Sequence, residues 1–367
     1  MDFGVVRDQA RFEELLRALS GSATLGLDTE FRRERTYYPV LCLLQVSTPE
    51  LVACVDPLAL DDLGPLLDLV YDPARTKVLH AARQDLEIFY QMRGALPAPL
   101  FDTQLAAAFL GIGDQVGYGP LVERLLGVSL AKAHTRTDWC RRPLSPQQVV
   151  YAEDDVRYLP ALHDVLRDRL EAAGRLSWLE EETRGALLDP ELYALRPEAA
   201  HRRIGRGREL PGEARRRLAA LAAWRERRAR ASDLPRNWVA TDAALVHMAQ
   251  QPPGDRGALS RVEGLHPRSG RRWGGEILAA LRDLPEGEAA AHGGRPSPEQ
   301  QERVRALMAE VKGRAEAAGI VPSLVATRKD LVALVQGARD LPLLRGWRRE
   351  FLGASLLAAL EGGAGGP

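Results

Sequence analysis

The chain has 367 residues with 50 basic against 50 acidic side chains and 45% hydrophobic content, which points to a globular protein of two or three domains. Three cysteines, Cys42, Cys54 and Cys140, are odd in number and lack a C-x-x-C spacing, which argues against a disulfide framework and against a zinc site. No stretch approaches the ~20 apolar residues of a membrane span, and MDFGVVRDQARFEELL lacks a signal-peptide core, so the expected location is cytoplasmic, with no membrane partner.

In chain order, TLGLDTE predicts a strand, with Leu25 and Leu27 alternating behind Gly21 and Ser22. VLCLLQVS and LVACVDP are apolar runs separated by Thr48, Pro49 and Glu50, a hairpin signal, so three strands form an antiparallel meander. DDLGPLLDLV predicts a helix, KVLHAA a strand, DLEIFYQM a helix that opens on Asp85, and LFDTQ a short strand entering the helix AAAFLG. This order predicts a mixed sheet with packed helices. A helix then runs from Ser145 through Leu170, kinked near Pro160. Basic, proline-punctuated text, ALRPEAAHRRIGRGREL, predicts a linker.

Beyond it lies an internal repeat. Arg228–Gln250 aligns without gaps on Arg314–Gln336 with nine of 23 positions identical, and GGEILAAL from Gly274 matches GASLLAAL from Gly353. Two copies of one small helical module follow from that self-similarity. The segment between them, PEGEAAAHGGRPSPE, is expected to be a mobile linker. The neutral total hides an asymmetry: residues 1–180 hold 19 Lys and Arg against 26 Asp and Glu, whereas residues 181–367 hold 31 against 24. An acidic first half joined to a basic second half suits a protein whose accessory modules attract a polyanion.

The chemistry is concentrated in three short segments. Asp28 and Glu30 stand at i and i+2 of the first strand and project to one face. Tyr151 and Asp155 stand at i and i+4 of a helix and share a face, with Asp154 turned aside. Asp85 lies between these segments in the chain. Clustered acids repel and resist folding unless a cation compensates them. Hard oxygen donors suit magnesium or manganese, and two such ions can stabilise both the attacking and the leaving oxygen of a phosphoryl displacement.

These segments carry a resemblance. LGLDTEFRRERTYYPVLCLLQVS, VLHAARQDLEIF, FDTQLAAAFLG and TDWCRRPLSPQQVVYAEDDVRYLPAL resemble the ribonuclease D family, within the DEDD superfamily of 3′→5′ exonucleases. Tyr151 four residues before Asp155, with Val150 where a histidine would stand, places the chain in the tyrosine branch. The resemblance implies an α/β ribonuclease-H-like exonuclease domain over 1–190, followed by two small all-α HRDC-like domains over 208–287 and 298–362.

The resemblance further implies two-metal-ion hydrolysis of RNA 3′ ends, tRNA precursors above all, with release of nucleoside 5′-monophosphates. Asp28 would serve both Mg²⁺ or Mn²⁺ ions, Glu30 and Asp155 the first, and Asp85 the second. Tyr151, with an ordinary pKa near 10, suits orienting the attacking water better than taking its proton. A monomer is favoured. The chain has no G-x-x-x-x-G-K-[ST] phosphate loop, so no nucleoside triphosphate is expected.

Further candidates are weighed against structural roles. Thr29 has its side chain on the face opposite the two acids, but its backbone could touch a terminal nucleotide, and His80 could line the cleft or be a satisfied core histidine. Asp102 suits an N-cap better than a ligand. Gln45 could contact RNA or pair in the core, and Trp139 suits packing. Arg216 and Arg217, on an arginine-rich helix, are candidates for phosphate contact or for a solvated face. The competing functions are a DNA 3′→5′ exonuclease and a non-catalytic RNA-binding scaffold.

Overall fold

The computed structural model describes residues 1–130, 137–194, 196–205, 207, 210–285 and 296–362. The chain divides into two compact units. The first comprises Met1–Phe31, Leu41–Tyr193 and Arg295–Pro367, and the second comprises Arg32–Val40 and Ala194–Gly294.

The first unit is built on a six-stranded sheet of order β1-β4-β3-β2-β5-β6. Its elements are β1 (Asp2–Val6), α1 (Gln9–Leu19), β2 (Thr24–Arg32), β3 (Val40–Ser47), β4 (Val52–Val55), α2 (Gly64–Tyr71), β5 (Thr76–Leu79), α3 (Arg83–Arg93), β6 (Leu100–Asp102), α4 (Thr103–Phe109), α5 (Tyr118–Leu126), α6 (Pro146–Arg157), α7 (Leu159–Ala172) and α8 (Leu176–Ala186). β3 and β4 pair antiparallel, Leu44 opposite Val55, whereas β5 pairs parallel with both β2 and β6. The sheet is therefore mixed, as expected, with β1 and α1 added ahead of the predicted elements. β1 pairs parallel with β4 at the sheet edge. β3 is sandwiched within the sheet, so Cys42 through Ser47 are all buried, and its sequence is an apolar run interrupted by Gln45 and ended by Ser47.

The helix expected over Ser145–Leu170 breaks at Tyr158 into α6 and α7. Pro160 occupies the first turn of α7, where a missing N–H costs nothing. Ser145 opens α6 with a capping box closed by Gln148.

In the second unit, α9 (Gly212–Ser232), α10 (Arg236–Val239), α11 (Asp242–Gln250), α12 (Arg256–Leu259) and α13 (Pro267–Arg282) enclose a core around Leu218, Leu221, Leu245, Met248 and Ile277. The stretch expected to be a linker is ordered in part. Pro197–Arg203 forms 3₁₀ turns, and Ile204 is buried in the same core.

The second sequence copy repeats this backbone as α14 (Pro298–Ala318), α15 (Pro322–Val325) and α16 (Arg328–Val335), before α17 (Gly346–Arg348) and α18 (Ala354–Gly362). α9 and α14 each have 21 residues and end on a left-handed residue, Asp233 and Gly319. Thr241 and Thr327 cap the third helix of each copy through their hydroxyls. The Pro285–Glu299 linker falls mostly on 286–295, outside the described residues, as do the boundary positions 208 and 287.

The grouping of segments differs from the boundaries expected from sequence. The second copy belongs to the same compact unit as the sheet, and its Val311, Leu331, Leu334, Trp347 and Leu356 share one core with Phe109, Leu121 and Leu166. The Trp347 ring lies 5.1 Å from Phe109 and stacks on Trp178 at 5.1 Å. No helix among the described residues is long and apolar enough to cross a membrane.

Candidate active site

β2 and α6 bring Asp28, Glu30 and Asp155 together, with one carboxylate oxygen of each within 4.8 Å of the others. Local geometry sets the first two side by side, since i and i+2 of a strand share a face. The approach of α6 depends on Gly26. A Cβ there would lie 2.3 Å from Ser47 Oγ and 3.0 Å from Leu159 Cβ. Ser47 in turn donates to the Val156 carbonyl at 2.6 Å, fixing the end of α6 over the sheet one residue beyond Asp155.

Asp85 stands in the first turn of α3, outside that triad, and its Oδ1 accepts the Thr29 hydroxyl. Thr29 is buried, and its hydroxyl donates to the Asp85 carboxylate. Asp102 seats α3. Its carboxylate accepts the Ala81 and Ala82 N–H groups at 3.3 and 2.8 Å while also capping α4 through Gln104 and Leu105. One side chain thus satisfies the start of two helices, the N-cap reading with a second helix added.

Electrostatics mark the cluster as one that needs a cation. Burial, then the charges of Asp85, Asp155 and Glu30, raise Asp28 well above the ordinary carboxylate range. Burial, then Asp155 and Asp85, push Glu30 up to about 8, although the Trp139 indole N–H bonds its carboxylate and opposes the rise. Asp155 is raised to about 7 by burial, against a lowering hydrogen bond from Tyr151. Asp85 is raised to about 6 by burial, partly offset by Thr29. Burial, then Asp155, push the Tyr151 hydroxyl up, so it stays protonated and can donate. Asp154 points away and pairs with Arg157 at 3.2 Å.

Several residues acquire partners that sequence reasoning left open. Gln45 is fully buried and its Nε2 donates to Asp28 Oδ2 at 3.3 Å. Trp139 packs at 5.8 Å against the Tyr151 ring as well as reaching Glu30, so it contacts two site residues rather than merely filling space. Cys42 and Cys140 form a single disulfide, although the odd cysteine count argued against a disulfide framework, and Cys54 stays free. The pair lies 98 residues apart, and packing of the Trp139 loop against β3 brings the Cα atoms to 4.9 Å. Arg142 anchors the same loop to buried Asp56 at 2.6 and 2.7 Å.

His80 Nδ1 lies 2.9 Å from Thr103 Oγ1, its ring meets Tyr118 edge-on, and burial lowers its pKa. Arg216 donates to the Pro285 carbonyl, and Arg217 pairs with Glu213 at 2.6 Å, so both guanidinium groups brace their own module.

Comparison with known proteins bears on the same regions. A 3′-5′ exonuclease family profile matches residues 3–171, and an HRDC domain profile matches residues 214–281. The chain is 41% identical to a ribonuclease D of Granulibacter bethesdensis over 92% of this chain and 87% of that protein. It is 39% identical to a ribonuclease D of Pseudomonas paraeruginosa over 97% of both. Among solved structures, Escherichia coli RNase D, described as an exoribonuclease involved in structured RNA processing, matches with a TM-score of 0.87 and 33% identity over 99% of each chain. The catalytic core of RRP6 from Trypanosoma brucei shares the fold, with a TM-score of 0.58 and 23% identity over 76% of this chain and 78% of that one.

Proposed function

Since the chain belongs to the ribonuclease D family and is a metal-dependent 3′→5′ exoribonuclease, we propose that it matures tRNA precursors by trimming their 3′ extensions in the cytoplasm. The observation that carries the catalytic reading is the convergence of Asp28, Glu30 and Asp155 within 4.8 Å in a buried site, a cost without purpose unless a divalent cation sits among them. All-oxygen donors fit Mg²⁺ or Mn²⁺.

In our reading Asp28, Glu30, Asp85 and Asp155 hold two such ions, which when bound supply Lewis-acid activation of the water and of the leaving oxygen. The chain's own residues do the rest. Gln45 keeps Asp28 turned into the site, Thr29 orients Asp85, and Trp139 fixes Glu30. Tyr151 stays protonated, so it positions the attacking water by donating or sharing a hydrogen bond, and the tyrosine branch of the DEDD enzymes is the proposed assignment. The shared backbone of the two helical copies supports reading the second, beside the matched first, as a further HRDC-like module. We favour a monomer.

The test is digestion of RNA labelled at its 3′ or its 5′ end, with magnesium or manganese, beside DNA of the same sequence. The expected result is immediate release of 3′-terminal nucleoside 5′-monophosphate from RNA, with 5′ label retained in shortening products. Faster hydrolysis of DNA would point to the competing substrate, and tRNA precursors processed no faster than unrelated RNA would remove the maturation role.

A further inference from the structure

We propose that a cavity bounded by the N-terminal ends of β5 and β6 and by α7 and α8 binds a nucleoside 5′-monophosphate, at a site separate from the catalytic acids. The site stands on its own geometry. That its occupant is also a product of the chain's own reaction rests on the exoribonuclease reading.

The cavity has a volume of about 470 Å³, within the range of small-molecule sites. Pro99, Leu100 and Phe101 line it from β6 and its approach, and Leu176, Leu179 and Leu188 from α8 and the turn beyond, so an inserted ring meets apolar surface from both. Thr76 also lines it and pairs with Thr24 across β5 and β2, whereas Asp28 stands four residues further along β2, about 13 Å at the rise of a strand. No lining residue belongs to the candidate active site. Buried Lys77 holds the β5–β6 side in place. Its ammonium donates to the Asp72, Arg75 and Ala98 carbonyls at 2.9, 2.6 and 2.6 Å, tying the turn before β5 to the approach of β6. A wall fixed in this way loses little entropy when a ligand enters.

Spacing along α8 decides which side chains it offers. Leu176, Leu179, Glu180, Thr183 and Arg184 recur at i, i+3, i+4, i+7 and i+8, so one face of the helix lines the cavity. The other face is occupied: Trp178 stacks on Trp347, Glu181 accepts the Trp347 backbone N–H, and Glu182 pairs with Arg348. Thr183 is 3% exposed, and its buried hydroxyl has no hydrogen-bond partner among the described residues. Such a group is costly to leave unpaired, and a polar ligand atom in the cavity would satisfy it.

On α7, buried His163 lies edge-on to Phe101 at 4.7 Å, with Nδ1 2.9 Å from Asp164 Oδ1. A proton on Nδ1 donated to that carboxylate leaves Nε2 as an acceptor. Glu180 and Arg184 are exposed, oppositely charged and four residues apart, the spacing at which helix neighbours ordinarily pair. Neither side chain has a partner among the described residues, whereas Arg167 is committed to Glu171 at 3.0 Å.

These groups match one ligand class part by part. The apolar surfaces accept a flat base, and the Thr183 hydroxyl and His163 Nε2 suit its polar edge. Glu180 suits ribose hydroxyls, and the free Arg184 guanidinium suits the phosphate. An apolar amino acid would also satisfy Glu180 and Arg184, but its hydrocarbon would leave Thr183 unpaired, so the nucleotide is the better match.

The test is calorimetric titration of the full-length chain with 5′-AMP in chelator, so that no cation holds nucleotide at the acids. One equivalent is expected to bind, with adenosine about 10-fold weaker for want of the phosphate contact. Arg184→Ala should bring AMP down to the affinity of adenosine and leave adenosine itself unchanged. Thr183→Val should weaken both about 10-fold while melting no lower than the wild type, because the unpaired hydroxyl is removed. Absence of AMP binding, or binding that ignores both variants, would overturn the site. Preference for phenylalanine or leucine over AMP would overturn the nucleotide assignment. Hydrolysis of RNA by the wild-type chain with magnesium tests the catalytic reading separately, and its failure would leave AMP binding with these variant effects fully in support of the site.

Discussion

Asp28, Glu30 and Asp155, the candidate metal ligands, set much of the behaviour of this protein toward protons. Burial and mutual repulsion favour their neutral forms in the folded state, with Glu30 raised from 4.5 to about 8 and Asp155 from 3.8 to about 7. The unfolded chain releases these protons near the ordinary values, so the stabilisation is complete below about pH 4 and is lost as pH rises towards 8. Metal-free protein should therefore melt at a lower temperature at pH 8 than at pH 5.5. Added magnesium should flatten that dependence, because cation binding displaces the protons. Asp28→Asn should melt higher than the wild type in chelator at pH 8 while losing hydrolysis by several orders of magnitude. Thermal unfolding at the two pH values, with and without magnesium, and single-turnover RNA digestion check both halves. A variant with near wild-type turnover would remove Asp28 from the site.

Tyr151 separates from the acids in the same test. Tyr151→Phe keeps the ring against Trp139, so cation affinity by calorimetry should persist while turnover falls about 10²-fold, the scale of one catalytic hydrogen bond. Loss of cation affinity would instead make the hydroxyl part of the metal site. The motif residues were legible in the sequence because their spacings, two in a strand and four in a helix, are local geometry. Their supports were not. Gln45 meets Asp28 across 17 residues, Thr29 meets Asp85 across 56, and no periodicity reports such pairings.

Elements approach one another only where side chains allow it, and α6 approaches β2 over Gly26. A glycine inside a strand signals close approach, but the sequence does not say of what. The structure supplies Ser47 and Leu159, so Gly26→Ala must displace the α6–α7 corner or the Ser47 bond that fixes it. The expected cost is about 1–3 kcal/mol of stability, as for an overpacked core. Turnover should fall further than unfolding explains, because Asp155 moves with the corner. Adding Ser47→Ala removes the nearest atom and should recover part of the stability. Denaturant unfolding beside kcat for the single and double variants decides the matter, and a single variant with wild-type kcat would show that α6 is placed by other interactions. The elements from β2 to α4, and the helical stretch of α6 and α7, were legible from periodicity, whereas β1, α1, α5 and α8 were not read from it, and the 3₁₀ turns at Pro197–Arg203 are too irregular to carry a pattern.

At the scale of the whole molecule, the repeat was legible but the partner of each copy was not. Both copies read as one small helical module, and the first does close its own core around Leu221, Leu245 and Met248. The second completes the core of the sheet-bearing unit instead. Trp347 stacks on Trp178, and its backbone N–H donates to the Glu181 carboxylate at 3.1 Å. Arg348 pairs with Glu182, and Arg175 reaches the Ala318 and Gly319 carbonyls.

A chain stopped after Pro285 would therefore expose Phe109, Trp178 and the arginine and glutamates that these bonds satisfy. It should be poorly soluble, unfold at markedly lower denaturant, and lose turnover even on short RNA, although every candidate catalytic residue is retained. Because a truncation can fail for trivial reasons, Trp347→Ala in the full-length chain provides the graded form. It should cost about 3–5 kcal/mol, the range for emptying a large aromatic from a core. Its turnover on short RNA should stay near wild type well below the unfolding midpoint, since no catalytic group is touched. A truncated chain that unfolds cooperatively at the wild-type midpoint and digests short RNA at the wild-type rate would show that the sheet and its helices hold the site unaided, with the second copy merely resting on them.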